Sequence, residues 1–216
     1  MSTAWLGFHL RVARSEQDVH DACGVRAEAY GHHLPQLRAA LAQPEPIDLD
    51  PRTAVLLCRD KATGRAIGTA RIQRAAPGAA VQIESSVQLP PWLLGRPRAE
   101  ITRLAILPGA DALVRPMLTK ASYLHCVAHQ IRWLVIGARS DALVRLYKRL
   151  GFTDALDAPL PLAHAGGLQH HVLAFDVVAA ERTWHAGQHG LYGLMVETFH
   201  PDLQLFDEPH GERAAA

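Results

Sequence analysis

Residues 99–115 read AEITRLAILPGADALVR. Leu104 to Leu107 is an apolar run, and Pro108 and Gly109 end it before a helix begins. At the mouth of this buried strand stand a carboxylate, a hydroxyl and a guanidinium: Glu100, Thr102 and Arg103. Charges in that position are costly to bury unless they are paired or used. Taken alone, the segment reads as a surface ion pair between Glu100 and Arg103 beside a core strand. The segments on either side argue for more.

Downstream, the spacing predicts a helix from about Leu113 to Gln130, with Pro116 in its first turn, where no N–H partner is lost. Ile131–Ala138 (IRWLVIGA) is nearly all apolar, as in a strand buried on both faces. Ser140 and Asp141 cap the next helix, DALVRLYKRL, which Gly151 closes as its C′ residue. Leu156–Gly167 reads as loop and His170–Val178 as a last strand. Upstream, Phe8–Ala13 alternates as a first strand, and Ser15 caps a helix ending near Tyr30–Gly31. Ala54–Arg59 and Ile67–Gln73 form a hairpin around Asp60, Thr63 and Gly64. Between them, residues 32–50 read as a long, partly irregular connection containing Pro44 and Pro46, of the kind that lines active sites. Pro77 and Gly78 open another loop. Ile83–Pro91 is a short extended or helical connection, and Trp92, Leu93 and Leu94 cap the core. This order predicts a mixed α/β sheet with helices on both faces. The main domain is expected over residues 1–178. A helical extension around Gly190 and Gly193 follows within 179–216, with a frayed tail from Asp202.

The 216 residues are 49% hydrophobic and 20% charged, enough for a sizeable core. A net charge of +1 gives no signal for nucleic acid or a membrane surface. No segment approaches the roughly 20 apolar residues of a membrane span. Cys23, Cys58 and Cys126 lie far apart, and an odd count without a secretory leader suggests reduced thiols and a cytoplasmic protein. His125 and His129 lie one helical turn apart, but thirteen histidines make such a pair unremarkable, and no metal is assigned.

Several further polar residues are candidates. Arg26 and Tyr30 share one helix face; the arginine either lies over the ring or joins it in facing a substrate. Asp48 and Asp50 are either solvated turn residues or acids that hold a ligand's ammonium group. Arg71 is the one charge inside the second hairpin strand, with an outward, wet side chain as the alternative.

Tyr147, Leu150, Gly151 and Phe152, in LYKRLGF after a strand–helix–strand unit, resemble the helix end of GNAT acyl-CoA N-acyltransferases. The ordered set Arg26 and Tyr30 in VRAEAY, Asp48 and Asp50, Arg71 in IGTARI, and Glu100 and Arg103 in EITRLAI resembles acyl-homoserine lactone (autoinducer) synthases. It resembles the related N-acyl amino acid synthases (FeeM-like) more closely. The likeness spans roughly Val25 to Phe152. Lactone synthases carry a Trp shortly after the counterpart of Tyr30, whereas this chain has HHLPQL. Ordinary GNATs carry an arginine- and glycine-rich phosphate loop after the central strand, whereas LPGADALVRPM has Gly109 alone. A backbone nest for pyrophosphate needs glycines.

The resemblance therefore implies a donor carried as an acyl-phosphopantetheine thioester, on acyl carrier protein or CoA, with no permanently bound cofactor. The acyl-pantetheine site lies between splayed central strands, with the acyl chain against Trp133, Val135 and Phe175. The acceptor is the α-amine of an amino acid. Arg115 and Lys120 would bind the single phosphate. Arg132, Arg139, Arg145, Lys148 and Arg149 would form a basic face for an acidic carrier protein. The chemistry needs an oxyanion donor, expected from backbone N–H groups near Leu104, Ala105 and Ile106, with Tyr147 where the fold places an acid. It also benefits from a base; Glu100 is the candidate, directly or through water. Arg103 and Arg71 would orient Glu100 or neutralise the acceptor's carboxylate, and Thr102 would help bind substrate. The alternatives are an autoinducer synthase using S-adenosylmethionine and a catalytically silent acyl-carrier-binding domain.

Overall fold

A computed structural model describes residues 1–75 and 78–206 of the chain. The strands are β1 (Ser2–Thr3), β2 (Phe8–Val12), β3 (Thr53–Asp60), β4 (Ala66–Arg74), β5 (Arg98–Ile106), β6 (Trp133–Ala138), β7 (Thr153–Asp154), β8 (Leu160–Leu162), β9 (Leu168–Asp176), β10 (Thr198–Phe199) and β11 (Leu203–Gln204). The helices are α1 (Glu16–Gly31), α2 (Arg38–Leu41), α3 (Pro91–Leu94), α4 (Val114–Ala128), α5 (Asp141–Arg149) and α6 (Ala180–Ala186). The main sheet runs β11-β2-β3-β4-β5-β6-β9-β7, with β8 paired to β9. Neighbours are antiparallel except β5–β6 and β11–β2.

Local chemistry sets the element ends. The Ser15 and Ser140 hydroxyls accept from Asp18 N and Leu143 N, capping α1 and α5. Gly151, at φ 102°, takes the left-handed position after α5. Helices lie on both faces, as expected. On the front, Ala22 of α1 packs on Val55 and Leu57. On the back, Val114, Met117 and Leu118 of α4 pack on Leu56, Ala70 and Ile72. The period-two alternation of β3 and β4 sends these sets to opposite faces.

Two features of β5 make the site. Its parallel pairing with β6 runs only from Arg98↔Trp133 to Ile101↔Ile136, after which the strands part. Its pairing with β4 slips between Ala105↔Thr69 and Thr102↔Arg71, leaving Arg103 and Leu104 as the bulge. Arg103 sits there at φ 54°, a left-handed conformation uncommon for a non-glycine residue.

The structure corrects several expectations. Glu100, Thr102 and Arg103 lie inside β5, which begins at Arg98, because polar partners from other elements let charge enter the strand. The loop expected over 156–167 contains β8 and a 3-10 turn, Ala163–Ala165. The extension after 178 is only partly helical: β10 and β11 join β1 and β2, and Trp184, Met195 and Leu205 enter the main core. Asp202, expected to fray, is buried and accepts from Leu6 N at 2.8 Å. The rest of that tail, 207–216, and part of the Pro77–Gly78 loop lie outside the described residues.

Candidate active site

Arg71 is the centre of the front face. It is fully buried, and four groups from three segments hold it. Its Nε donates to Thr102 Oγ1 at 2.8 Å, and its Nη2 donates to Gln82 Oε1 at 2.8 Å. Its Nη1 donates to Glu45 Oε2 at 2.7 Å and to Asp48 Oδ1 at 3.4 Å. Asp48 and Glu45 come from the irregular connection, where Pro46 opens a 3-10 turn and Glu45 N donates to Asp48 Oδ2 at 2.9 Å. The same Oδ2 accepts from Arg26 Nη1 at 2.9 Å, between side chains that are 0–1% exposed. Arg103 closes the cluster with a bidentate grip on Glu45, 2.7 and 2.6 Å, and a bond to His164 O at 3.1 Å. These pairings hold the Glu45 carboxyl down at about 2 against the pull of burial.

Three guanidiniums thus face two carboxylates, Glu45 and Asp48. Arg26 Nε and Nη2 are buried without a hydrogen-bond partner, so the cluster keeps an excess of positive charge. Glu100 cancels it only in the fraction that is ionised. Its side chain is 1% exposed, and burial pushes its carboxyl up to about 7. Its Oε2 accepts from Ile83 N at 2.7 Å, while Oε1 has no hydrogen bond and lies 3.5 Å from His164 Nε2. Burial, with Arg103 and Arg71 nearby, pushes that imidazole down to about 4, so it is neutral at pH 7.

The β5–β6 splay opens this cluster to a cleft of about 170 Å³, lined among others by Tyr30, Thr102, Arg103, Leu104, Tyr147 and His164. Behind Ile101, Leu104, Ile136 and Tyr147 it meets an apolar chamber of about 20 Å³ closed by Phe152, Phe175, Trp184 and Met195. That volume is little more than one water.

The expected residues separate clearly. Arg26, Asp48, Arg71, Thr102, Arg103 and Glu100 do converge. Arg26 does not lie over Tyr30; it pairs with Asp48, and Tyr30 Oη donates to Leu104 O at 3.0 Å, across the cleft floor. The Glu100–Arg103 pair does not form, and neither Arg103 nor Arg71 orients Glu100, because Glu45 and Asp48 occupy both guanidiniums. Asp50 stands apart on Arg52 at 2.6 Å. Leu104 lines the cleft; Ala105 packs with Val25 and Leu107, and Ile106 against the main core.

Lys120 is no phosphate ligand. It is 4% exposed, and its Nζ donates to Leu194 O (2.7 Å) and Thr198 O (2.5 Å) and lies 3.1 Å from His200 Nδ1, clamping the C-terminal extension. Arg115 is exposed at the start of α4. Trp133 and Val135 lie on the front, against Val81 and Val172, whereas Phe175 reaches the chamber from the back. In the basic face, Arg132 pairs with Asp176 and Lys148 with Asp154, both at 2.6 Å; Arg139, Arg145 and Arg149 are exposed. Tyr147 lies between cleft and chamber, its phenol pushed up to about 12 by burial.

Sequence reasoning missed Glu45 and His164. Glu45 stands three residues before Asp48, a capping-box spacing across a proline that could have flagged it. His164 carried no local signal.

No protein-family model and no curated protein sequence matches the chain. Solved structures do. FeeM, an N-acyl amino acid synthase from uncultured soil microbes, superposes with TM-score 0.64 at 14% identity, over 87% of this chain and 98% of that one. BjaI, a CoA-dependent acyl-homoserine lactone synthase with SAM and isopentyl-CoA, gives 0.59 at 17%, over 90% and 93%. A GNAT-family acetyltransferase from Staphylococcus aureus gives 0.55 at 10%, over 79% and 99%. The chain has the GNAT fold.

Proposed function

On that fold, we propose that the chain is an N-acyltransferase that moves a fatty acyl group from a phosphopantetheine thioester to the α-amine of an amino acid. The observation that carries this reading is the buried arginine cluster with its excess charge, opening at the β5–β6 splay beside a carboxyl near 7. An acceptor's carboxylate suits the positive cluster, and the apolar chamber behind the splay suits the start of an acyl chain.

The amine nitrogen attacks the thioester carbonyl. The tetrahedral oxyanion is met by backbone N–H groups of β5 past Ile101, where pairing to β6 has ended. The C–S bond then breaks. A thiol of pKa about 8.5 leaves as thiolate with little acid assistance, and Tyr147 stands by as a neutral phenol. The amine's proton is taken up by Glu100. Glu100 does not itself line the cleft but His164 does, so His164, or a water beside it, carries the proton. A base poised near the working pH is the efficient choice.

FeeM, which shares the fold, is described as an N-acyl amino acid synthase, the acceptor class proposed here. BjaI is described as CoA-dependent, with SAM. A lactone synthase is therefore the second reading, set against the absence of a Trp after Tyr30. Within this reading the enzyme works in the cytoplasm with acyl carrier protein as partner; Arg139 at the cleft and the exposed Arg145 and Arg149 are the cations offered to that acidic partner. None of the described helices is long and apolar enough to cross a membrane.

The test is mass spectrometry of lipid extracts from cells expressing the protein or Glu100→Gln. A new N-acyl amino acid absent with the variant supports the reading. Acyl lactones select the second reading, and identical extracts with folded protein reject both.

A further inference from the structure

The cleft in front of the splay has walls of leucine. Residues 34–41, LPQLRAAL, place Leu34, Leu37 and Leu41 at i, i+3 and i+7, one face of a helical segment. Pro35 opens a 3-10 turn, Pro35–Leu37, that runs straight into α2. All three leucines line the cleft, while Gln36, Arg38, Ala39 and Ala40 stay exposed. On the other wall, Leu162 of β8 and Leu168 of β9 are direct cross-strand partners, and both line the same cleft. A Cβ on Gly166, in the turn that joins them, would lie 3.9 Å from Leu37 Cδ2, so the two walls meet at that end.

Charge in this cleft has one sign. Arg103, Arg139, His164 and His170 line it, and among the described residues no Asp or Glu does. Arg103 Nε and Nη2 are taken by Glu45 and His164 O, which leaves Nη1 without a hydrogen bond among the described residues. An acceptor's carboxylate can take that donor, and the side chain beside it then enters the space between the leucines. A lysine or arginine side chain finds no carboxylate there and faces Arg139 instead. A second carboxylate is drawn out of water against leucine. A tyrosine's hydroxyl arrives among groups that offer it no partner. A branched aliphatic side chain pays none of these costs.

We infer that the acceptor is an amino acid with an aliphatic side chain, leucine or one of its shape, seated between Leu34, Leu37 and Leu41 on one wall and Leu162 and Leu168 on the other; this rests on the acyl transfer proposed above. The acyl chain takes the separate chamber behind the splay, so each apolar region has its own occupant. Selection in such a pocket comes from filled volume, about tenfold or more for a missing methylene.

The test is a competition. The full-length protein receives leucine, glycine, tyrosine, lysine and aspartate in equal amounts, with octanoyl and palmitoyl thioesters on both CoA and acyl carrier protein, and the N-acyl products are read by mass spectrometry. N-acyl leucine should exceed each other product by at least about tenfold. Leu37→Asp should raise the lysine product against the leucine product at least about tenfold, with the octanoyl-to-palmitoyl ratio as in the parent. If Leu37→Asp does not fold, Leu168→Asp carries the comparison. Similar yields across the set, or a preference for one of the other amino acids, would overturn the inference and leave the acyltransferase reading standing. A variant that changes the octanoyl-to-palmitoyl ratio instead of the acceptor would overturn it too, because the leucines would then hold the acyl chain. No N-acyl amino acid from any combination removes the underlying reading and this inference together.

Discussion

Asp48 shows what a single buried charge does here. It faces Arg26 and Arg71 and accepts from Glu45 N, with its side chain fully buried. Removing one partner of such a cluster leaves uncompensated charge in the interior. Asp48→Ala should therefore cost about 3–5 kcal/mol in denaturant unfolding; a loss under about 1 kcal/mol would place it among surface pairs. Glu100 acts in the opposite sense. Its folded carboxyl titrates at about 7 against an ordinary 4.5, so ionising it is harder folded than unfolded. That cost is absent below pH 4.5, grows as pH rises, and is complete above about 7. Its order is about 3 kcal/mol. Glu100→Gln removes it, so the variant should gain stability relative to the parent across this window while losing acyl transfer. In the parent, kcat/KM should rise with pH through about 7 and then level, because the base works deprotonated. A flat profile, or no stability gain for the variant, would remove Glu100 from the role.

At the scale of elements, the β5 bulge and the β5–β6 splay create the cleft, and two side chains of the C-terminal extension close the chamber behind it. Met195 is flexible and lines that chamber with Trp184. Met195→Ala should enlarge it and shift product profiles towards longer acyl chains, read by mass spectrometry; an unchanged profile would place the chain elsewhere. Lys120 joins α4 to that extension through two carbonyls and His200. Lys120→Met would leave those acceptors unmet, at about 1–3 kcal/mol each if still buried. Faster limited proteolysis within 187–200 is the expected sign, and an unchanged cleavage rate would count against the clamp.

Over the whole molecule, the chain's own residues determined the elements. Ser15, Ser140 and Gly151 mark helix ends by local hydrogen bonding and φ. The apolar runs of β5 and β6 and the hairpin at Asp60–Gly64 mark strands, and their order yields the mixed sheet with helices on both faces. Those signals act over a few residues, so a single chain displays them. The polar set Arg26, Asp48, Arg71, Thr102, Glu100 and Arg103 was likewise legible as a set. Which acid meets which base was not. Glu45 takes both Arg71 and Arg103, 26 and 58 residues away. His164 reaches Glu100 from a turn that carried no signal. Lys120 looks like any helix lysine until the extension folds over it. Periodicity says which face a side chain takes; only the tertiary structure says what lies across from it, because burial and partner geometry arise where distant segments meet.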